Sequence, residues 1–377
     1  MQSTLSKKLW AYPIIFGLLG ALTGLLIRYL FANPIYAFPF KNILHSHSHI
    51  MLLGFVFNAL IVLLWTNYTK EIDKVSYKYY IALQICMLAM FVAFILQGYA
   101  LFSILFSTLH LWISYILLIR LWKRLQGQKA VVNLIKVGIV FHFISSIGPY
   151  CLGPLMVFEM KESPWYQQAI FFYLHFQYFG SLFLWFLAVF LHKASIQFNK
   201  KHVLLICISL IGLYTHSLDY SFNHFLIQLI GGLSSLALFF VLLSFAKQLK
   251  YQKRAYQYIY VILIIIAICN ILGSFSNIAI LVETDRYFLI AWLHFLFLGL
   301  FVPFIWVELS FSINYKLWVF YSLMVLTSEL LLVFHNQTYS LFNISIMWLL
   351  LIPYIGITMC FCVIHSGYFI QKKNVLG

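Results

Sequence analysis

SHSHIMLLGFVFNALIVLLWT, residues 46–66, is an apolar run about as long as a bilayer is thick. A helix needs about 20 predominantly apolar residues to cross the hydrocarbon core. Comparable runs recur along the whole chain, which is 63% hydrophobic and only 9% charged. No run alternates with the two-residue period of a barrel strand, and unpaired backbone groups are costly in lipid, so the spans should be helices. The sequence predicts an all-α polytopic membrane bundle, with residues 1–377 as a single domain.

Apolar length divides the chain into about twelve spans. We place them at residues 10–31, 46–66, 78–98, 101–121, 133–157, 167–191, 203–217, 221–246, 256–281, 288–311, 316–335 and 342–369. The break between the third and fourth spans rests only on Gln97, Gly98 and Tyr99, and the seventh span is short. Eleven spans is therefore the alternative.

The positions of the basic residues predict the orientation. With the N-terminus in the cytoplasm, only four of the 24 Lys and Arg residues fall on the outer side, namely Arg28, Lys41, Lys161 and Arg286. Cytoplasmic loops carry an excess of such cations, and an odd number of spans would scramble this asymmetry. We therefore expect both termini in the cytoplasm, and the cytoplasmic membrane of a bacterium as the location. The net charge of +15 is a topology signal, so no nucleic-acid partner is expected.

Most of the histidines gather toward the outer side of this topology. His45, His47 and His49 open the second span, and His110, His175 and His294 lie about two turns below the outer ends of their helices. His216 ends the seventh span, His224 begins the eighth, and His142 is near mid-membrane. Ionisable side chains at similar depth on different helices suggest one shared polar site. A ring hydrogen-bonded to a neighbouring helix is the structural alternative for each of them.

A cluster of imidazoles suits heme iron, copper or zinc as a ligand set. Most of the carboxylates available in the outer half lie in loops, at Glu159, Glu162, Asp219, Glu283 and Asp285. Only Glu308 and Glu329 are expected within the membrane. This scarcity makes a zinc or di-iron carboxylate site less natural than a site built from imidazole.

The segment His47-Ser-His-Ile-Met-Leu-Leu-Gly-Phe-Val-Phe-Asn58-Ala-Leu-Ile61 resembles the second helix of the catalytic subunit of heme-copper oxidases, especially the high-affinity bacterial branch. In that family a ligand histidine of the low-spin heme precedes an F-x-x-N-A-L-I run at the same separation. The resemblance implies that His47 is the heme ligand, with His45 and His49 as substitutes.

Three further segments carry the resemblance. Trp292-Leu-His294-Phe-Leu-Phe-Leu-Gly299 looks like the tenth helix of the family, with His294 at the second low-spin ligand and Trp292 at the place of the other heme's ligand. Phe172-Tyr-Leu-His175 resembles the segment with the first copper ligand. Tyr214-Thr-His216-Ser-Leu-Asp-Tyr220 resembles the paired-histidine turn, with Ser217 replacing one histidine. Twelve spans, cytoplasmic termini and hemes in the outer half are implied as well.

The resemblance implies a b-type heme held by His47 and His294, with Arg286, Lys41 and Arg28 as cations for its propionates. A copper ion or second heme is implied near His175, His216, His224, His110 and His142, with oxygen or nitric oxide as substrate. A quinol or cytochrome c would donate electrons, and partner subunits are expected. Glu308 would relay protons. Because two ligand positions are vacant, the nitric-oxide-response family of heme and copper membrane proteins is the close alternative, and enzymatic activity stays open.

Two functions of other classes are alternatives to a heme protein. A secondary transporter or metal permease also has about twelve spans and buried polar groups. It predicts broken helices at matching positions of two halves, and Pro149, Pro154, Pro303 and Pro353 do not pair in this way. A scaffold or assembly subunit that kept the fold and lost the chemistry is the third hypothesis.

Overall fold

A computed structural model shows an all-helical protein. It describes residues 2–35, 39–218, 224–309, 314–342 and 345–373, and it contains no strand within these ranges. We label the helices α1 to α14. They are α1 Gln2–Ala32, α2 Phe40–Tyr68, α3 Lys74–Gln97, α4 Leu101–Trp122, α5 Lys129–Val157, α6 Pro164–Lys193, α7 Lys200–Gly212, α8 Phe225–Leu249, α9 Arg254–Leu272, α10 Ser276–Thr284, α11 Arg286–Glu308, α12 Tyr315–Val333, α13 His335–Phe342 and α14 Ile346–Lys373.

Eleven of the described helices are long and apolar enough to cross a membrane. They are α1 to α6, α8, α9, α11, α12 and α14. The predicted break between the third and fourth spans is present at Gly98, whose φ of 62° is one that glycine adopts without strain. The predicted seventh span is α7, a 13-residue helix that continues as a 3-10 helix over Leu213–Ser217.

Two predicted boundaries are wrong. The second span begins at Phe40 and not at residue 46, because Pro39 precedes a helical turn that contains the polar residues Lys41 and Asn42. This places His47 about two turns inside α2. The ninth span ends at Leu272 and not at residue 281, because Phe275 has an extended backbone (φ −85°, ψ 128°) and a separate helix, α10, follows it.

The chain forms two compact units. The first comprises Met1–Arg120 and Tyr287–Gly377, and the second comprises Leu121–Arg286. Within the first unit, Ile27 and Leu30 of α1 pack on Ile43 of α2. The same unit packs α11, α12 and α14 together through Ala291, Leu332, Ile346 and Leu350. The prediction of a single domain stays a prediction.

The three long helices α2, α6 and α11 share a distortion. Each contains a π-helical segment, at Ile50–Phe57, Phe176–Leu182 and Phe295–Phe301. Each segment begins directly after a histidine, at His49, His175 and His294, and a glycine stands five residues after each histidine. Such π segments occur frequently at functional sites, because they rotate the side chains on either side of the insertion.

Side chains from the same or neighbouring helices satisfy carbonyl groups of these segments. Asn58 Nδ2 donates to the Gly54 oxygen at 2.9 Å, Ser181 Oγ donates to the Gln177 oxygen at 3.2 Å, and the Tyr321 hydroxyl donates to the Leu298 oxygen at 2.8 Å. Asn58 also exchanges two amide hydrogen bonds with Gln84 of α3, at 2.9 and 3.1 Å. Lipid offers no substitute donors, so these bonds stabilise the distorted helices.

Gly148 of α5 lies against the backbone of α6. A Cβ at this position would lie 2.3 Å from the Ala169 carbonyl oxygen and 2.9 Å from the Tyr173 Cβ. We expect Gly148→Ala to lower the free energy of unfolding by about 1–3 kcal/mol, because backbone atoms would have to separate. Unfolding in mixed detergent micelles would measure this loss.

Gly153 supplies the matched control on the same helix. A Cβ there meets nothing within 4 Å, so Gly153→Ala should be neutral or slightly stabilising. Equal stabilities of the two alanine variants would contradict the prediction.

Candidate functional site

His47 is held by α1 in a single orientation. Its Nδ1 lies 2.9 Å from the Gly20 carbonyl oxygen and, because a carbonyl can only accept, donates a hydrogen bond to it. Thr23 Oγ1 lies 3.5 Å from the same nitrogen, and a Cβ on Gly24 would come within 2.8 Å of the ring. The Nε2 lone pair has no hydrogen-bond partner among the described residues, so it remains available to a ligand.

His294 is oriented by a tyrosine of α14. The Tyr354 hydroxyl lies 2.6 Å from His294 Nδ1 and 3.5 Å from Nε2. Arg28 Nη2 donates to the same hydroxyl at 2.8 Å, and the guanidinium carbon lies 4.3 Å from the centre of the Tyr354 ring. His294 is half-buried, and the Tyr354 hydroxyl lies closer to its Nδ1 than to its Nε2.

Arg28 is the cation at the centre of this cluster. Only 5% of its surface is exposed, and the Tyr354 hydroxyl is its one hydrogen-bond partner in the ranges described. It lies within electrostatic range of His47, His294 and Glu329. A guanidinium has five donors, and one in a low-dielectric interior is costly unless anionic partners compensate it. The cluster can therefore hold negative charge.

The other two histidines of α2 face a different neighbour. The His49 ring stacks on Phe94 of α3 with centroids 4.4 Å apart, and its Nε2 lies 3.2 Å from the Tyr99 hydroxyl. His45 meets the Tyr99 ring edge-on at 4.6 Å. His47, unlike these two, lies within electrostatic range of both Arg28 and His294.

Four other predicted residues are exposed or have contacts of their own. Lys41 and Arg286 are exposed at the starts of α2 and α11. His110 is buried in α4, with its ring 5.9 Å from that of Phe57. In the second unit, the exposed His224 caps α8 by accepting from the Leu226 nitrogen at 3.3 Å.

The second unit contains its own histidine networks. His175 Nε2 donates to the Leu210 oxygen at 2.8 Å, and its Nδ1 lies 3.4 Å from Ser217 Oγ, so both nitrogens are engaged. His216 lies within electrostatic range of His175, but its Nε2 bonds Ser274 Oγ at 3.1 Å. His142 Nδ1 lies 3.1 Å from Gln177 Oε1.

No group of three or more His, Cys, Asp or Glu side chains that could hold a metal ion occurs in the described ranges. Asp219 and Tyr220, which belong to the motif around His216, lie outside those ranges. Glu308 is half-buried at the end of α11, whereas Glu329 is buried in α12.

Sequence reasoning missed the central place of Arg28 and the whole contribution of Tyr354. The sequence did contain one signal for Arg28. Gly20, Gly24 and Arg28 stand four residues apart and therefore lie on one face of α1. No signal in the sequence connects Tyr354 with His294, 60 residues earlier. A second overlooked pattern is the repeated His-x-x-x-x-Gly at residues 49–54, 175–180 and 294–299.

Comparison with protein-family models and with curated proteins finds no match to this chain.

Proposed function

We propose that this chain is an integral membrane electron-transfer protein in which His47 and His294 hold a b-type heme. One observation carries the proposal. Two imidazoles from helices far apart in the chain lie in one compact unit, and each has its Nδ1 held by a neighbouring group, the Gly20 oxygen for His47 and the Tyr354 hydroxyl for His294. An imidazole oriented through its other nitrogen is the usual form of a histidine metal ligand.

The surrounding residues suit such a group. The buried Arg28 would neutralise its carboxylates, and charge-assisted bonds from arginine to a carboxylate are among the strongest in proteins. Leu53, Phe55 and Val56 of the α2 π segment, which follows the turn with His47, are buried. When bound, the heme would supply one-electron redox chemistry. The Gly20 carbonyl and the Tyr354 hydroxyl would fix the orientation of the two ligand rings.

A copper ion or second heme does not enter the proposal. Trp292 replaces the further heme ligand of the oxidases, and both nitrogens of His175 have hydrogen-bond partners. Residues of this chain thus support electron transfer better than reduction of oxygen or nitric oxide. A quinol or a cytochrome c remains the proposed electron donor, and partner subunits remain proposed.

The proposal includes a bundle of twelve spans with cytoplasmic termini in the inner membrane of a bacterium. The span that brings the total from eleven to twelve is α7, whose 13 residues rise about 20 Å. Its five-residue 3-10 extension adds about 10 Å. The total is about the 30 Å of a hydrocarbon core. An even number of spans also keeps the basic loops on one side of the membrane.

Optical spectra of the purified protein test the function. We expect sharp absorption bands of a six-coordinate b-type heme after reduction, and about one iron per chain by metal analysis. Copper analysis of the same sample separates a heme protein from a heme-and-copper protein. A colourless, iron-free protein, also after expression with added heme precursor, would contradict the proposal and favour a transporter or a scaffold.

A further inference from the structure

Glu329 is a buried acid with half of its carboxylate unpartnered. Only 7% of its surface is exposed, and it lies on α12, which packs with α11 and α14 in the first unit. Oε1 accepts a hydrogen bond from Ser328 Oγ at 2.9 Å, whereas the buried Oε2 has no hydrogen-bond partner among the residues that the structure describes. A buried carboxylate oxygen without a donor is costly when the group is ionised, and a proton on this oxygen would remove that cost.

Charged and titratable groups approach Glu329 from the helices around it. Arg28 of α1 and Tyr354 of α14 lie within electrostatic range. The Tyr354 hydroxyl also contacts His294 of α11, at 2.6 Å from Nδ1. From α13, His335 directs its Nδ1 to the Leu332 oxygen at 3.0 Å and is thereby engaged.

Arg28 connects the acid to the histidine pair electrostatically. The buried guanidinium lies within electrostatic range of Glu329, of His47 and of His294. In a low-dielectric interior a single cation cannot offset two negative charges without a large cost in free energy. Adding one electron to the histidine site therefore makes an ionised Glu329 less favourable.

We propose that Glu329 takes up a proton when the site at His47 and His294 gains an electron, and releases it when the electron leaves. The inference rests on the proposed heme. A one-electron reductant, such as a quinol, a reduced cytochrome or a chemical mediator, supplies the electron. The proton comes from the aqueous phase and forms an O–H bond at Oε2. The buried charge is then unchanged, and the cluster couples one proton to one electron.

Redox titration at several pH values measures this coupling. In the pH interval of proton uptake, the equilibrium constant for reduction should fall tenfold per pH unit, which is about 59 mV for a one-electron couple. Glu329→Gln should bind heme and lose this slope, because an amide cannot take up the proton. Glu329→Asp, the conservative variant, should retain it. Glu71→Gln, which removes an exposed carboxylate after α2, is the matched control and should also retain it.

Infrared difference spectra between the oxidised and reduced states give a second readout. A carbonyl band of a protonated carboxylic acid should appear on reduction, shift in deuterated water and vanish in Glu329→Gln. Ser328→Ala should shift the band, because the hydroxyl bonds to Oε1 of the same carboxyl.

The outcomes separate the two proposals. A protein that binds no heme overturns both of them. A heme protein whose potential does not vary with pH, or whose Glu329→Gln variant keeps both the slope and the infrared band, overturns only the role of Glu329. Should Glu329→Gln fail to fold, the wild-type band and its shift in Ser328→Ala decide the question.

Discussion

His47→Ala and His294→Ala should each abolish the reduced bands of a six-coordinate heme. Each variant removes one of the two nitrogen atoms that we propose as ligands, so the remaining histidine could hold the iron on one side only. We expect the heme content after purification to fall by about 10-fold or more. Reduced-minus-oxidised spectra and iron content per chain measure the loss.

The neighbouring histidines of α2 provide matched controls. His45 and His49 stand two residues on either side of His47, but His45 contacts Tyr99, which follows α3, and His49 contacts Phe94 of α3. His45→Ala and His49→Ala should therefore keep the bands. Helical content by circular dichroism and a monodisperse profile in gel filtration must be the same in all four variants.

Chemical rescue distinguishes a lost ligand from a damaged fold. His47→Gly leaves space for a free imidazole, which is itself a good ligand for heme iron. Added imidazole should restore the bands of this variant. Intact bands in both His47→Ala and His294→Ala, or loss of the bands only in His49→Ala, would refute the assignment of this pair.

Gly24→Ala should reduce heme binding although it changes no proposed ligand. A Cβ on Gly24 would lie 2.8 Å from His47 Cε1 and 3.3 Å from Nδ1. The first distance is shorter than real Cβ contacts, and the second is shorter than most of them. The ring cannot turn away without breaking its bond to the Gly20 oxygen. Loss of such an orienting contact costs about 10-fold to 100-fold in affinity at a metal site. Heme titration of the heme-depleted protein would measure the change.

Gly367→Ala is the control for this substitution. Gly367 lies in α14 of the same compact unit, and a Cβ there meets nothing within 4 Å. This variant should bind heme like the wild type. Equal affinities in Gly24→Ala and the wild type would mean that His47 is not held in the proposed position.

The membrane spans were the part of the fold most open to prediction. The cost of exposing polar backbone to lipid leaves the helix as the one solution for a run such as residues 46–66. The described part of the chain confirms an all-helical fold, with eleven helices of spanning length. Helix ends depend on weaker local forces. The start of α2 at Phe40 was missed because Lys41 and Asn42 lower the hydropathy of a turn that is nonetheless helical.

Candidate residues were open to prediction only by type and depth. Imidazoles on several helices drew attention to His47, His294 and His175 in equal measure. Hydrogen-bond partners distinguish His47 from His175. Both nitrogens of His175 are engaged, by Leu210 and Ser217, whereas the Nε2 of His47 is not engaged by any described residue. Hydrogen-bond partners from distant helices leave no periodic trace in a sequence.

The amino-acid sequence by itself determined the class of this protein, because hydropathy and the distribution of cations act through the solvent and need no knowledge of neighbouring helices. Only the tertiary structure decided that Arg28 is buried beside Tyr354 and that Tyr354 contacts His294. It also decided that Glu329 is buried within electrostatic range of Arg28, with an Oε2 that lacks a hydrogen-bond partner among the described residues. Arg28 and Tyr354 are 326 positions apart, and Tyr354 and His294 are 60 positions apart. These contacts arise from the packing of helix faces, which sequence spacing along one helix does not specify.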